Sequence, residues 1–412
     1  MSQKLSIRFD RDVIVVGGGI VGLSAAMHLS KRLPHLSVTV LEKEARVAAH
    51  QTGHNSGVIH AGVYYLPGTR KARFCKEGSD ATYSFCRKHG LPFERCGKLI
   101  VASNESEIDA LKGLFSRCRA NHLEPEWMDE NDIRHLEPRV AGRRAILVHS
   151  SGIANYTAIA QTMAAEIESQ GGEILLNSPV IGMREESDAI VVDTPARTFR
   201  ARFAIACGGL MADRLAEMCG LSIDFQVVPF RGEYFRLPAS KSELVKHLIY
   251  PVPNAALPFL GVHMTRMIDG YITVGPNAVL ALAREGYAWG DVNPRDMWEM
   301  ASFPGVRKLL RRHARFAATE LFRSMFRRGY LRECQKYCPE LHLEDLQPHP
   351  SGVRAQVVWA DGTLEHDFLI MRSRRSLHVC NAPSPAATAA LPIGSHIVDE
   401  CIDAFDLQKP GF

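Results

Sequence analysis

No stretch of the chain approaches the run of about 18 apolar residues that a membrane-spanning helix needs. Met1–Asp12 has neither the apolar centre of a secretory signal nor the character of an Arg/Ser-rich, acid-free presequence. Internal repeats and low-complexity tracts are missing. Charge of one sign is scarce. The 49 basic and 45 acidic residues leave a formal +4, too little to point to nucleic acid, yet compatible with a local basic pocket for an anionic substrate. The cysteines at 75, 86, 96, 118, 207, 219, 334, 338, 380 and 401 include no CxxC pair. Cys334 and Cys338 have no matching second pair, so no metal site is expected. Without a secretory signal, these read as free thiols in a reducing compartment, hence a cytoplasmic protein. Peripheral attachment to the inner face of a membrane is left open. What is present, 412 residues with 46% hydrophobic and 23% charged, suits a globular enzyme with two cores.

The strongest local pattern runs from Asp12 to Lys43. Val13-Ile14-Val15-Val16 is a β-branched run suited to a central strand buried on both faces. It leads into Gly17-Gly18-Gly19-Ile20-Val21-Gly22, a G-x-G-x-x-G. A helix follows, with small residues at Ser24, Ala25 and Ala26 and a stop at Pro34; Val38–Leu41 is a second strand, closed by Glu42. Gly17 permits the tight turn, Gly19 admits a pyrophosphate, and Gly22 lets helix and strand pack closely. The helix N-terminus offers unpaired N–H groups to phosphate, and the Glu42 carboxylate can accept from ribose hydroxyls. One G-x-G-x-x-G is weak evidence. Strand, glycines, helix, second strand and terminal acid together specify a dinucleotide site.

The unit alone does not separate FAD from NAD. After Glu42 the chain enters a polar, glycine-punctuated loop, His50-Gln51-Thr52-Gly53-His54-Asn55-Ser56-Gly57-Val58-Ile59-His60-Ala61-Gly62-Val63-Tyr64-Tyr65, where an NAD enzyme would continue with further βα units. Two later strands also end in turns before helices: Ala204–Ala206 before Cys207-Gly208-Gly209, and Leu377–Cys380 before Asn381 to Thr388. The last helix can offer its N-terminus to a flavin pyrimidine.

This arrangement resembles the D-amino-acid-oxidase-like FAD superfamily. Within it, His50–Tyr65, Leu248–Tyr287 and Asn381–Thr388 resemble the L-2-hydroxyglutarate dehydrogenase/oxidase family. The middle stretch carries Ile249-Tyr250-Pro251-Val252-Pro253, Pro258-Phe259-Leu260-Gly261-Val262-His263 and Gly275-Pro276-Asn277-Ala278-Val279. The resemblance covers nearly the whole chain, departing locally at Gly305-Val306 and at Ala390-Leu391-Pro392. It implies an α/β fold: a Rossmann-type FAD-binding domain beside an antiparallel-sheet α+β substrate domain. It places cofactor contacts at Gly17, Gly19, Ile20, Val21, Gly22, Glu42 and Lys43. Further contacts fall at Thr52, His54, Asn55, Ser56 and Gly57, at Val180, at Cys207 and Gly208, and at Pro385, Ala386, Ala387 and Thr388. In some members a loop histidine is tethered to FAD; whether one is tethered here is not legible.

The flavin domain reads as discontinuous, residues 10–70, 150–225 and 345–412, with the substrate domain at 71–149 and 226–344. Thr157–Ser169 reads as a helix and 180–203 as an antiparallel meander. Val227–Leu237, Tyr250–Val252, Leu260–Met264 and Gly270–Val274 read as strands of one antiparallel sheet roofing the flavin. Glu105–His122 and Val306–Phe326 read as helices. Arg307, Lys308, Arg311, Arg312 and Arg315 recur at helical spacing, usually a solvated face and otherwise a surface for anionic lipid.

The resemblance further implies oxidation of L-2-hydroxyglutarate to 2-oxoglutarate, with hydride passing from Cα to flavin N5. Such chemistry needs a base with a near-neutral pKa, which points to histidine, and cations for two carboxylates. His60 and His263 are the base candidates; either also reads as a hydrogen-bonded structural residue. Lys71, Arg266 and Arg354 are the carboxylate candidates, each with an alternative reading as a surface ion pair. His263 and Arg266 sit three apart on an expected strand and so face opposite sides unless it twists or ends between them. Tyr64 and Tyr65 read either as caps on the substrate or as interdomain wall. Arg231-Gly232-Glu233 pairs more naturally with itself. Two rival functions share the fold: an amino-acid or amine oxidase, and a non-catalytic flavin-binding electron-transfer subunit. No residue pattern distinguishes oxygen, a quinone or a carrier protein as electron acceptor.

Overall fold

Arg11–Val16 and Val38–Leu41 pair in parallel, Val13 opposite Val38 and Val16 opposite Leu41. Thr198–Ala206 lies on the other side of the first strand, also parallel, with Ser376–Asn381 beyond it and Glu173–Leu175 at the far edge. The structure is a computed structural model that describes residues 9–253, 261–405 and 407, excepting the side chains at 315, 316, 323 and 325. Pro258-Phe259-Leu260 of the middle motif, most of Met1–Asp12 and the Arg315 side chain therefore lie outside it.

Helix Ile20–Arg32 packs against helices Tyr156–Ser169 and Ala390–Phe405. Contact with the last is close because Gly394 has no side chain: a Cβ there would fall 2.2 Å from Ser24 Oγ. Leu23, Leu29, Ile393 and Ile397 fill that layer, each contributing about 1.5–3 kcal/mol by burial. The expected meander is present as Gly182–Glu185, Ile190–Asp193 and Thr198–Ala206; its third strand runs on into the parallel sheet.

The second sheet has nine strands, and Phe225–Arg236 pairs along its length with Gln347–Trp359. Ile272–Gly275, His263–Arg266 and Leu248–Pro251 continue it, and Lys98–Ala102 then pairs in parallel with Leu248–Pro251. The four strands expected in one antiparallel sheet do pair antiparallel, and Lys98–Ala102 extends that sheet by one parallel pair. Alternation divides its faces. Leu99, Val101, Ile249 and Met264 pack into one core, while Ile100, Ala102, Leu248 and Tyr250 face Val58, Ala61 and Val63 of the glycine-punctuated loop. A small sheet of Val58–Ile59, Gly152–Ala154 and Phe93–Glu94 pins that loop in place.

Two segments pack across the sequence boundaries. Helix Arg70–His89 puts Phe74, Tyr83, Phe85 and Cys86 into the core of the first sheet, and Gln347–Trp359 belongs to the second sheet. The single helix expected over 306–326 is instead Pro304–Arg312 and Ala314–Met325, separated at His313 and followed by Arg327–Gln335. The first of these lays Val306 and Leu309 on Val228 and Val358. The second turns away to carry Glu320 towards Ala278 N–H. Among the described residues, no helix is long and apolar enough to cross a membrane.

Candidate functional site

The turn between the first strand and helix Ile20–Arg32 is built by close approach. Gly17 has φ +111°, and a Cβ on it would lie 2.4 Å from the Cys207 carbonyl oxygen. A Cβ on Gly22 would lie 2.1 Å from the Gly17 carbonyl oxygen. Gly19 differs: its nearest neighbour would be Thr52 Oγ1 at 3.5 Å, ordinary contact. Protein packing therefore requires glycine at 17 and 22, whereas Gly19 keeps open the side on which a pyrophosphate would sit. No side chain caps the helix start, and its first turn has no acidic residue. Ile20 N–H is held by Thr52 Oγ1 at 3.0 Å, with Val21 next in the turn. These features fit a dinucleotide phosphate.

Glu42 is buried, and its carboxylate accepts from Gly18 N–H at 2.7 Å and Glu44 N–H at 2.9 Å. A carboxylate has about four lone-pair sites, so acceptor capacity remains for ribose hydroxyls. The neighbouring chain is fixed by Ser178 N–H donating to the Glu42 carbonyl, with Val180 two residues on in the adjacent core. Cys207 N–H donates to the Val16 carbonyl, and Gly208 is crowded by Leu215. Lys43 is occupied elsewhere. Its Nζ lies among Glu44, His50 (2.9 Å) and Glu285 (2.9 Å). Burial alone would lower its pKa, but bonds to Glu285 and Glu44 more than offset that, and the net shift is upward. Glu44, His50 and Glu285 have the spacing of metal ligands, yet the Lys43 ammonium already supplies the positive charge between them.

In the loop, Asn55 organises the backbone: its amide donates to the Thr52 carbonyl at 2.6 Å and its oxygen accepts from Gly57 N–H at 2.8 Å. Ser56 lies half-buried in the same turn. Gly57, at φ +67°, accepts from Ala154 N–H. His54 stacks on Tyr287 at 4.3 Å and its Nδ1 meets the Ser351 carbonyl at 3.0 Å. Pro385, Ala386 and Ala387 form a turn before helix Ala390–Phe405, later than the expected start. Thr388 fixes that turn to the loop. Its hydroxyl accepts from His60 N–H at 3.1 Å and lies 3.0 Å from Tyr156 Oη.

Between this loop and the inner face of the second sheet His60, His263 and Lys98 form a partly basic cluster. His263 is buried, stacks on Tyr250 at 3.9 Å, and has Nδ1 2.9 Å from the Gly261 carbonyl oxygen. A carbonyl can only accept, so the hydrogen-bond pattern puts the proton on Nδ1 and a lone pair on Nε2. Burial pushes its pKa down to about 3. His60 is half-buried, and burial with the nearby Lys98 charge holds its pKa well below the usual value. Its Nδ1 lies 3.4 Å from Lys98 Nζ; a charged ammonium only donates, which leaves the imidazole hydrogen on Nε2. The Tyr64 hydroxyl is buried without a hydrogen-bond partner. Arg354, opposite Phe230 in the long strand pair, acts electrostatically on His263, Tyr234 and Tyr250.

The other candidates are placed elsewhere. Arg266 lies across the strand from His263, as alternation requires, and pairs with Glu94 at 3.4 Å. Lys71 Nζ donates to the His366 carbonyl at 3.0 Å and sits 5.3 Å from the Tyr65 ring centre. Arg231 pairs with Glu233 at 3.3 Å and donates to the Ala288 carbonyl. Sequence reasoning missed Lys98, whose side chain is almost wholly buried. The available signal was alternation: Lys98 shares a face with Ile100 and Ala102, an apolar face otherwise.

The model of the family described as FAD dependent oxidoreductase matches residues 12–400. The chain is 50% identical over 390 residues to the L-2-hydroxyglutarate dehydrogenase of Escherichia coli K12, covering 94% of this chain and 92% of that protein. It is 40% identical to the mitochondrial L-2-hydroxyglutarate dehydrogenase of Homo sapiens, covering 96% and 89%. In fold it is similar to the L-α-glycerophosphate oxidase of Mycoplasma pneumoniae, solved dithionite-reduced with FAD bound. That match has a TM-score of 0.77 and 23% identity, over 94% of each chain. Glycine oxidase from Geobacillus kaustophilus matches with a TM-score of 0.72 and 17% identity, covering 98% of this chain and 97% of that one.

Proposed function

The chain belongs to the FAD-dependent oxidoreductase family, and from that premise we propose that it oxidises L-2-hydroxyglutarate to 2-oxoglutarate. The first sheet and its helices hold FAD, with Gly17–Gly22, Glu42, Thr52 and the Pro385–Thr388 turn around it. The second sheet roofs the substrate. FAD, when bound, supplies the acceptor for the two electrons. His263 Nε2 takes the hydroxyl proton, since its ring is neutral and the Gly261 contact aims its free lone pair away from the backbone. His60 is the second imidazole of the cluster and offers an Nε2 donor. Arg354 holds a carboxylate.

The observation that carries this reading is the charge around the two imidazoles: His60 feels Lys98, His263 and Lys71, His263 feels Lys98 and Arg354, and among the described residues no carboxylate pairs with Lys98, whose electrostatic neighbours are thiols. A zwitterionic amino acid would need an anionic partner for its ammonium group. A dianionic hydroxy acid would not. The FAD-loaded protein mixed anaerobically with L-2-hydroxyglutarate should lose its visible flavin absorbance, and glycine or proline should leave it intact. Bleaching by the amino acids instead would overturn the substrate assignment; bleaching by none would favour the electron-transfer subunit.

Peripheral attachment to anionic lipid is a further part of this reading. Trp298 and Phe322 are exposed on helices Pro294–Ser302 and Ala314–Met325, Phe326 just after the latter, and Arg311 and Arg312 on the helix between them. Cosedimentation with anionic but not neutral vesicles, weakened by salt, is expected; equal recovery with both would remove the lipid from the account. Reoxidation of the reduced protein by oxygen, compared with a soluble quinone, identifies the acceptor class.

A further inference from the structure

Lys98 opens the strand Lys98–Ala102, beside Leu248 of the neighbouring strand, and is 1% exposed. Among the described residues it makes no ion pair, and its one polar neighbour is His60 Nδ1 at 3.4 Å. Aromatic faces and thiols complete its surroundings. Nζ stands 4.0 Å from the Tyr250 ring centre and 5.5 Å from that of Tyr64, with Cys75, Cys96 and Cys118 also within electrostatic reach. Ring faces recover only part of what an ammonium loses on leaving water. A cation buried in this way lacks an anion.

Two further features indicate where the anion comes from. The Tyr64 hydroxyl, on a ring beside the same ammonium, is buried with no hydrogen-bond partner among the described residues. His263 feels both Lys98 and Arg354, so two cations flank the imidazole assigned to the hydroxyl proton. We propose that the Lys98 ammonium, with the Tyr64 hydroxyl, receives one carboxylate of the 2-hydroxy diacid, the other going to Arg354. This inference rests on the functional reading above and deepens it, by separating the two ends of the substrate.

Anion binding then depends on pH through Lys98. Burial brings its pKa down to about 8, so in the free protein the ammonium titrates where its neighbours do not. His60 and His263 are already neutral. Burial raises the Cys75 thiol to about 12 and Cys96 and Cys118 to about 11. It also raises the Tyr64 and Tyr250 phenols.

The test is titration of the FAD-loaded protein with glutarate, a diacid it cannot oxidise, followed by the flavin spectrum between about pH 7 and 9. For the unaltered protein, affinity should fall above about pH 8. Lys98→Met should bind glutarate about a hundredfold more weakly near neutrality and lose that pH dependence. Lys98→Arg should bind with no fall in this range, and it serves as the reading if Lys98→Met fails to retain FAD. Glutarate affinity within about threefold of the unaltered protein in Lys98→Met, or a fall near pH 8 that persists in Lys98→Arg, overturns the proposal. Failure of the functional reading looks different: the unaltered protein would then neither bind glutarate nor be bleached by L-2-hydroxyglutarate, and both ideas would go.

Discussion

His263 is held by a ring stack on Tyr250 and by one hydrogen bond from Nδ1, and both contacts leave Nε2 unprotonated. A base held this way needs no deprotonation at working pH, because burial has already placed its pKa at about 3. The same shift makes it a weak base thermodynamically; its usefulness rests on position, and on a substrate hydroxyl losing its proton as hydride departs. His263→Asn keeps a planar side chain and a hydrogen-bonding group but no basic nitrogen. Flavin reduction by the hydroxy acid should slow roughly 10²- to 10⁴-fold, with glutarate affinity nearly unchanged. Stopped-flow measurement of the reductive half-reaction checks this. A loss confined to substrate affinity would move the base to His60. Sequence offered both histidines as candidate bases but could not choose between them, because the choice turns on which ring nitrogen meets a carbonyl.

At the scale of elements, the glycine turn separates two roles that the motif lumps together. Gly22 is required by the protein itself, since a Cβ would strike the Gly17 carbonyl oxygen at 2.1 Å. Gly19 is not, its space being open on the side of the helix N-terminus. Gly22→Ala should therefore destabilise the fold with or without FAD, by roughly 1–3 kcal/mol as overpacking does. Gly19→Ala should melt normally without cofactor and retain FAD poorly. Thermal melts of apo and FAD-loaded forms test the pair, and equal apo destabilisation by both would refute the distinction. The unit was readable because strand, turn, helix and second strand are all local in sequence. The long strand Gln347–Trp359 was not, because Pro348, Pro350 and Gly352 read as a loop; they are tolerated because, among the described residues, the strand's partner in the sheet is Phe225–Arg236 and its other edge pairs only near Val358, with Leu364, beyond the prolines. Lys98 was hidden for a related reason. A lysine at the start of Leu99–Ala102 looks like a solvated strand end until Leu248–Pro251, about 150 residues away, pairs with that strand and helps to bury it.

Across the whole molecule, buried charge is treated in two ways. Arg284 is buried and pairs with Asp213 through both terminal guanidinium nitrogens, while Arg214 reaches Asp296 and Glu299. Asp213 also accepts from Val227 N–H at the start of the long strand. Arg284→Met would leave Asp213 uncompensated and should cost about 3–5 kcal/mol, read from a denaturant midpoint; a smaller loss would mean that the network contributes specificity alone. Elsewhere burial keeps bases neutral. His263 and His378 have pKa values lowered by burial from 6.5 to about 3 and about 4. Between those values and 6.5 the unfolded chain binds more protons than the folded one, so stability rises with pH across that window and is lost on acidification. From pH 6.5 to about 4.5 each such histidine should remove roughly 2–3 kcal/mol. His378 is the cleaner probe, because it lies outside the cluster of His60, His263 and Lys98, with Nε2 2.8 Å from Ser376 Oγ and Nδ1 buried without a partner. Urea unfolding of His378→Gln and the unaltered protein at about pH 7 and 4.5 should give a shallower acid loss in the variant, since glutamine has no proton to gain. Parallel curves would show that some other group sets the acid limit, and the carboxylates held low by ion pairs, such as Glu44 beside Lys43, would be the next to test.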